Sequence, residues 1–192
     1  MVTVTLGSGM LRLMPSSNPT ARPSVSDPPR PTSAAELLRL SYAESIRLFR
    51  TLPAPDLGEM DGEYRAELLD QGRPAYLWIA LWFVHRRGRW LAKAFTPTGA
   101  EEGRGYNVFV VGEGIRRGTR MRTSVVQSCY DGRPSYQLDY SAYQGGMLGT
   151  MRDEVRKIAD GVYLGLGAVG HTRLMRRPSP FLLEGPVAPF AD

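Results

Sequence analysis

The sequence predicts a mainly β protein, one antiparallel domain closed as a barrel or folded as a sandwich, behind an N-terminal amphipathic helix. Three observations carry this. Hydrophobicity alternates with a period of two along most of the chain after Gly62, tight-turn dipeptides recur between the alternating runs, and a helical period is confined to one stretch before them. With 192 residues, the chain has enough length for one domain with a real core and too little for two.

Residues 1–32 read as a disordered Pro/Ser-rich tail. Pro15, Pro19, Pro23, Pro28, Pro29 and Pro31 stand among Ser, Asn and Thr with little to bury. Met14 is an alternative start, which would leave residues 1–13 untranslated. The helix opens at Ser33, whose hydroxyl and the Glu36 carboxylate form a capping-box pattern. Ala35, Leu38, Tyr42, Ile46, Phe49 and Leu52 then recur at steps of three and four, until Pro53 and Pro55 stop the run.

Tyr64, Ala66 and Leu68 alternate with charged residues as the first half-buried strand. Arg89–Thr96, Gly105–Val111 and Thr119–Ser128 follow. Asp131-Gly132 turns into Ser135–Tyr143, and Asp160-Gly161 joins Asp153–Ile158 to Val162–Val169. A short strand at Thr172–Arg176 would complete a set of seven or eight within residues 33–177. Pro74–Arg87 is hydrophobic without alternation, which suits a short helix across one barrel mouth, where an apolar ligand enters. Residues 178–192 read as an extended segment in which Phe181, Leu182 and Leu183, flanked by prolines, cover apolar surface.

Composition narrows the function classes. One cysteine excludes an intramolecular disulfide and a Cys-based zinc cluster. His85 and His171 lack metal-ligand spacing, so neither a metal nor a covalent cofactor is expected. The longest apolar run, Ala75 to Val84, is about half the ~20 residues of a membrane helix, and no secretory leader is legible; a cytoplasmic protein is expected. Net charge is +5, and only Lys93 and Lys157 among the 24 basic residues are lysines. Arg116, Arg117, Arg120 and Arg122 lack interleaved exposed aromatics, so they read as solvated strand faces and not as a nucleic-acid surface.

Several runs resemble a bacterial lipocalin-like domain family. Gly62-Glu63-Tyr64-Arg65-Ala66 resembles its Gly-x-Trp-x-Gly opening strand, with Tyr64 and Ala66 in place of the tryptophan and the second glycine. Trp90-Leu91-Ala92-Lys93-Ala94-Phe95 is similar to an aromatic-x-Gly-Lys-aromatic strand, and residues 153–165 resemble the closing hairpin. The resemblance spans residues 45–170 and implies a lipocalin-like or fatty-acid-binding-like β-barrel of about seven or eight strands. It further implies carriage of an apolar or amphipathic small molecule, lipid-, isoprenoid- or polyketide-like, by a monomer or homodimer. An alternative is a barrel cyclase or isomerase; another is a plugged barrel serving as a protein-interaction scaffold.

The candidate ligand-binding residues are the aromatic face Tyr136, Leu138 and Tyr140, joined by Tyr64, Tyr106, Met121 and Tyr163. These either line a cavity or fill the barrel. Trp78 and Trp82, followed by Arg86, Arg87 and Arg89, are candidates at the mouth, for ligand and for transient contact with a membrane surface. Arg122 and Arg156 are candidates to meet a ligand carboxylate. For an enzyme, Asp139, Tyr140 and Glu154 are the candidate catalytic groups. Gly165 and Gly167 share one strand face, which reads as the place where the N-terminal helix packs.

Overall fold

The computed structural model describes residues 30–170 and 177–192. Most of the tail and the strand candidate Thr172–Arg176, with His171, lie outside the described residues. Two short helices, α1 (Ala34–Leu37) and α2 (Tyr42–Phe49), lead through a 3-10 turn at Leu57–Glu59 into β1 (Gly62–Leu68). Then come α3 (Pro74–His85), β2 (Arg89–Pro97), β3 (Glu102–Val111), β4 (Gly114–Gln127) and β5 (Pro134–Asp139). α4 (Gly146–Gly149), β6 (Arg152–Ala159), β7 (Val162–Ala168) and β8 (Ser179–Ala188) complete the chain. Each strand pairs antiparallel with the next and β8 returns to β1, so the sheet is a closed eight-stranded barrel without edges.

Two local expectations change. The N-terminal run is broken into two helices, because Ser41 and Glu44 form a second capping box inside it. The Ser41 amide donates to Glu44 Oε2 at 2.8 Å, and the Glu44 amide donates to Ser41 Oγ. The C-terminal run, instead of lying across the barrel, is its eighth stave, with Phe181 paired to Gly165 and Leu183 to Ala66. Prolines made it look unlike a strand because they lack the amide donor. Here Pro180 serves through its carbonyl, which accepts from the Leu69 amide and from Gln71 Nε2.

Strand alternation sorts the apolar residues into one interior and two outer clusters. Leu164, Leu166 and Leu182 face outward and are covered by Leu37, Phe49 and Leu52 of the N-terminal segment. Ala92, Ala94, Tyr106 and Val108 form a second outer patch under Phe190 and Ala191. Gly165 and Gly167 therefore face the interior and not the helices: a Cβ on Gly165 would lie 2.1 Å from the Phe181 ring. The interior is packed solid at the end where the 3-10 turn lies. Tyr64, Phe95, Tyr136 and Tyr163 meet there ring to ring at 5.5–5.7 Å, with Met121, Leu138 and Val155 beside them. Tyr64 Oη donates to the Glu59 carbonyl and Tyr163 Oη to the Glu59 carboxylate.

One buried charge locks the outer layer to the barrel. Arg156 points outward from β6 and is fully covered by α2 and the turn between β4 and β5. Its guanidinium donates twice to Asp131, at 2.7 and 2.6 Å, once to the Phe49 carbonyl, and lies 4.5 Å from the Phe49 ring centre. Arg156 in turn holds the Asp131 carboxyl below its ordinary range. The stability this pair contributes is complete above about pH 4, where aspartates of the unfolded chain are ionised, and is lost as the pH falls below that. Asp131→Asn should cost about 3 kcal/mol in urea unfolding at pH 7 and should remove that part of the acid dependence.

Candidate functional site

The two ends of the barrel differ. At the end carrying α3 and α4 the interior is not filled, and a cavity of about 380 Å3 opens between the strands and α3. This volume is in the range of small-molecule sites, and the walls are mostly apolar. Ile79, Ala80, Phe83 and Val84 of α3 form one side. Trp90, Phe109, Phe181, Leu148 and Met151 form the others.

α3 covers the mouth without being buried itself. It is apolar on every face: Trp78 is 73% exposed, Ile79 62% and Trp82 65%. Pro74 begins it at a position where a missing amide costs nothing. Arg177, stacked 4.0 Å from the rings of Tyr42 and Tyr76 and bonded to the Gln71 carbonyl, pins its first turn. The segment from Gln71 to Ala100 contains no acidic residue, and the apolar helix is flanked by Arg73, Arg86, Arg87 and Arg89.

The polar part of the cavity is a network supplied by β2, β3 and β6 and by the residue that follows β5. Lys93 of β2 points inward because a register shift between Trp90 and Ala92 places it on the same face as both Trp90 and Phe95. Its ammonium donates to Asp153 Oδ2 at 2.8 Å, to the Tyr140 hydroxyl at 2.6 Å and to Asn107 Oδ1 at 3.1 Å. Both members of the ion pair have side chains only 4% exposed. Tyr140 Oη donates to Asp153 Oδ2 at 2.8 Å, and Trp90 Nε1 donates to Asn107 Oδ1. Burial, with the Asp153 carboxylate beside it, holds the Tyr140 phenol well above its ordinary range, so it stays protonated and donating.

Thr119 completes the ring of polar groups. The register between β3 and β4 shifts where Gly105 faces Met121 but Asn107 faces Gly118, and Thr119 lies in that irregularity. Its φ is +55°, a backbone conformation that costs a β-branched residue energy. Asn107 Nδ2 donates to its carbonyl, and the residue stands at the cavity wall with its hydroxyl buried.

The structure distributes the sequence candidates widely. Trp82 lines the cavity, and Tyr140 lies in the network at its floor. Trp78 stands on the solvent side of α3. Tyr64, Met121, Tyr136, Leu138 and Tyr163 belong to the packed interior and do not line the cavity. Tyr106 lies outside the barrel, its hydroxyl donating to Glu63. Arg122 is outside as well, in an ion pair with Asp139, which also pairs with Arg152 at 2.7 Å. Arg156 is committed to Asp131, and Glu154, on the same outer face of β6, accepts from the Cys129 amide.

Sequence reasoning missed Lys93, Asn107, Thr119 and Asp153. A signal for two of them was present: Lys93 shares strand phase with Phe95, and Asp153 with Val155. Among the described residues no three His, Cys, Asp or Glu side chains come together as a metal site.

No protein-family model and no curated protein matches the chain. A crystal structure of a protein from Thermomonospora curvata is similar in fold, with a TM-score of 0.53 and 16% identity. The match covers 78% of this chain and 90% of that one.

The Lys93–Asp153 pair makes a defined prediction. Lys93→Met or Asp153→Leu alone should each cost about 3–5 kcal/mol in urea unfolding, by stranding a buried charge. The double variant should cost less than either single change.

Proposed function

We propose that the protein binds and carries an apolar or amphipathic small molecule, of lipid, isoprenoid or polyketide type, inside its barrel in a lipocalin-like manner. The observation that carries this reading is the asymmetry of the interior: aromatic packing at one end and an apolar-walled cavity under a weakly held helix at the other. A barrel that served only as a scaffold would gain stability by filling both ends. α3 supports the same reading, since a helix with an apolar outer face and basic flanks suits brief contact with an anionic membrane surface from which such a ligand would come.

Carriage is favoured over cyclisation or isomerisation. Of the three carboxylate and phenol groups suspected of catalysis, Asp139 and Glu154 lie outside the barrel. The third, Tyr140, has its proton committed to Asp153 and is held far from the pKa of an effective acid near neutrality.

Titration with a neutral apolar dye such as N-phenyl-1-naphthylamine should show saturable binding to the full chain. Val84→Trp, which adds bulk between α3 and the cavity wall, should weaken it by about tenfold or more. Leu138→Ala in the packed end should cost about 2–5 kcal/mol of stability yet leave dye affinity within about twofold. Unaltered affinity in Val84→Trp would contradict the assignment of the cavity.

A further inference from the structure

The charges around the cavity bear on the head group of its ligand, an inference that rests on the binding reading above. Four cationic side chains belong to the lining residues, Arg86, Arg87, Lys93 and Arg177, against one carboxylate, Asp153. Lys93 and Asp153 cancel each other at 2.8 Å on the floor. The three arginines enter no ion pair among the described residues. The interior floor is therefore neutral, and the mouth is positive.

The dipole of α3 accounts for only part of this set. Cations are favoured at a helix C-terminus, where Arg86 and Arg87 lie, and disfavoured at the N-terminus, where Arg73 and Arg177 lie. Arg177 is engaged there, donating to the Gln71 carbonyl and stacking on Tyr42 and Tyr76. Arg86 and Arg87 are exposed. The Arg86 guanidinium lies over the rings of Trp82 and Phe83, 5.8 Å from each centre, and both rings belong to the cavity lining. Stacking on ring faces leaves the in-plane N–H donors of a guanidinium available. The Arg87 carbonyl accepts from Arg116, which ties this end of α3 to β4. The Arg116 guanidinium lies 5.7 Å from the ring centre of Phe109, another lining residue, so a further cation stands beside the same rim.

We infer that the ligand is an amphipathic anion that enters tail first. Its carboxylate or phosphate head is held at the rim by Arg86 and Arg87, and its hydrocarbon tail lies against Trp90, Phe181 and α3. A head group carried to the floor would meet a lysine whose three N–H donors are engaged by Asp153, Tyr140 and Asn107. It would also be desolvated beside the Asp153 carboxylate, which costs free energy. At the rim the head keeps part of its water while guanidinium groups supply charge-assisted hydrogen bonds. An ammonium head would meet like charges there, and a neutral head would gain little from them.

The test is displacement of N-phenyl-1-naphthylamine from the full chain at pH 7 by decanoate, decyl phosphate, 1-decanol and decylamine. Each anion should displace the dye at a concentration about tenfold or more below that of the alcohol and the amine. The double variant Arg86→Gln/Arg87→Gln, changed only at exposed positions, should reduce the preference for the anions over decanol about tenfold. Its affinity for decanol should stay within about twofold of the parent, which shows that the cavity is intact. Raising the salt concentration should weaken the anions and leave decanol unchanged. Displacement by decanol or decylamine as effective as by the anions would overturn the head-group assignment and leave the cavity reading standing. An anion preference that survives in the double variant would overturn it also. Failure of all four to displace the dye, decanol included, would overturn the cavity reading itself.

Discussion

A lysine buried in the interior of a β-barrel must find its counter-charge there or remain unburied, and the inside of this molecule is arranged around that requirement. Lys93 and Asp153 meet from β2 and β6, strands that are not neighbours in the sheet. Tyr140, just past β5, and Asn107 from β3 supply the remaining hydrogen bonds that make the burial tolerable. This network stands at the boundary of the two halves of the interior. On one side the rings of Tyr64, Phe95, Tyr136 and Tyr163 interlock; on the other the walls draw apart and α3 spans the gap. Lys93 also lies within 5.4 Å of the ring centres of Trp90, Tyr140 and Phe181, so aromatic faces share in holding its charge.

The outer layer obeys the same rule with different residues. Arg156 and Glu63 are polar groups on outward strand positions that the chain has covered, and each is paired. Arg156 meets Asp131, and Glu63 accepts from Tyr106 and Arg117. The covering segments are the N-terminal helices on one side and the C-terminal residues on the other, where the Ala191 amide donates to Tyr106 Oη. Among the described residues α3 has no such anchor along its length, and the polar contacts that hold it to the barrel are at its ends, from Arg177 and from the His85 ring, which accepts from the Trp90 amide. A helix held at its ends over an apolar cavity is the part of the fold best suited to move aside.

The barrel was legible in the sequence because its signals are local. Alternation marked the strands, and Asp131-Gly132 and Asp160-Gly161 marked the turns. Pro74 with unbroken hydrophobicity marked α3. β8 was obscured by Pro180 and Pro186, whose missing amides look incompatible with a ladder. The site was less legible, for two reasons. Which face of a strand points inward depends on register, and the shifts at Trp90–Ala92 and near Thr119 are set by the neighbouring strand, not by local composition. Buried charges also read as solvated ones until their partners are known. Lys93 and Asp153 are 60 residues apart, and only closure of the barrel brings them together. The conspicuous arginines drew attention to the outside of the barrel, while its interior chemistry rests on one lysine.

Ligand entry requires that one end of the barrel be open while the other is packed. The three indole N–H groups report on this in a 1H–15N NMR titration of the full chain with a small apolar probe such as cyclohexane. Trp82 and Trp90 line the cavity, whereas Trp78 stands on the solvent side of α3. The Trp82 and Trp90 indoles should shift saturably, with Trp78 and the amides of Tyr64, Tyr136 and Tyr163 left in place. No saturable shift, or shifts centred on the tyrosines of the packed end, would contradict this arrangement.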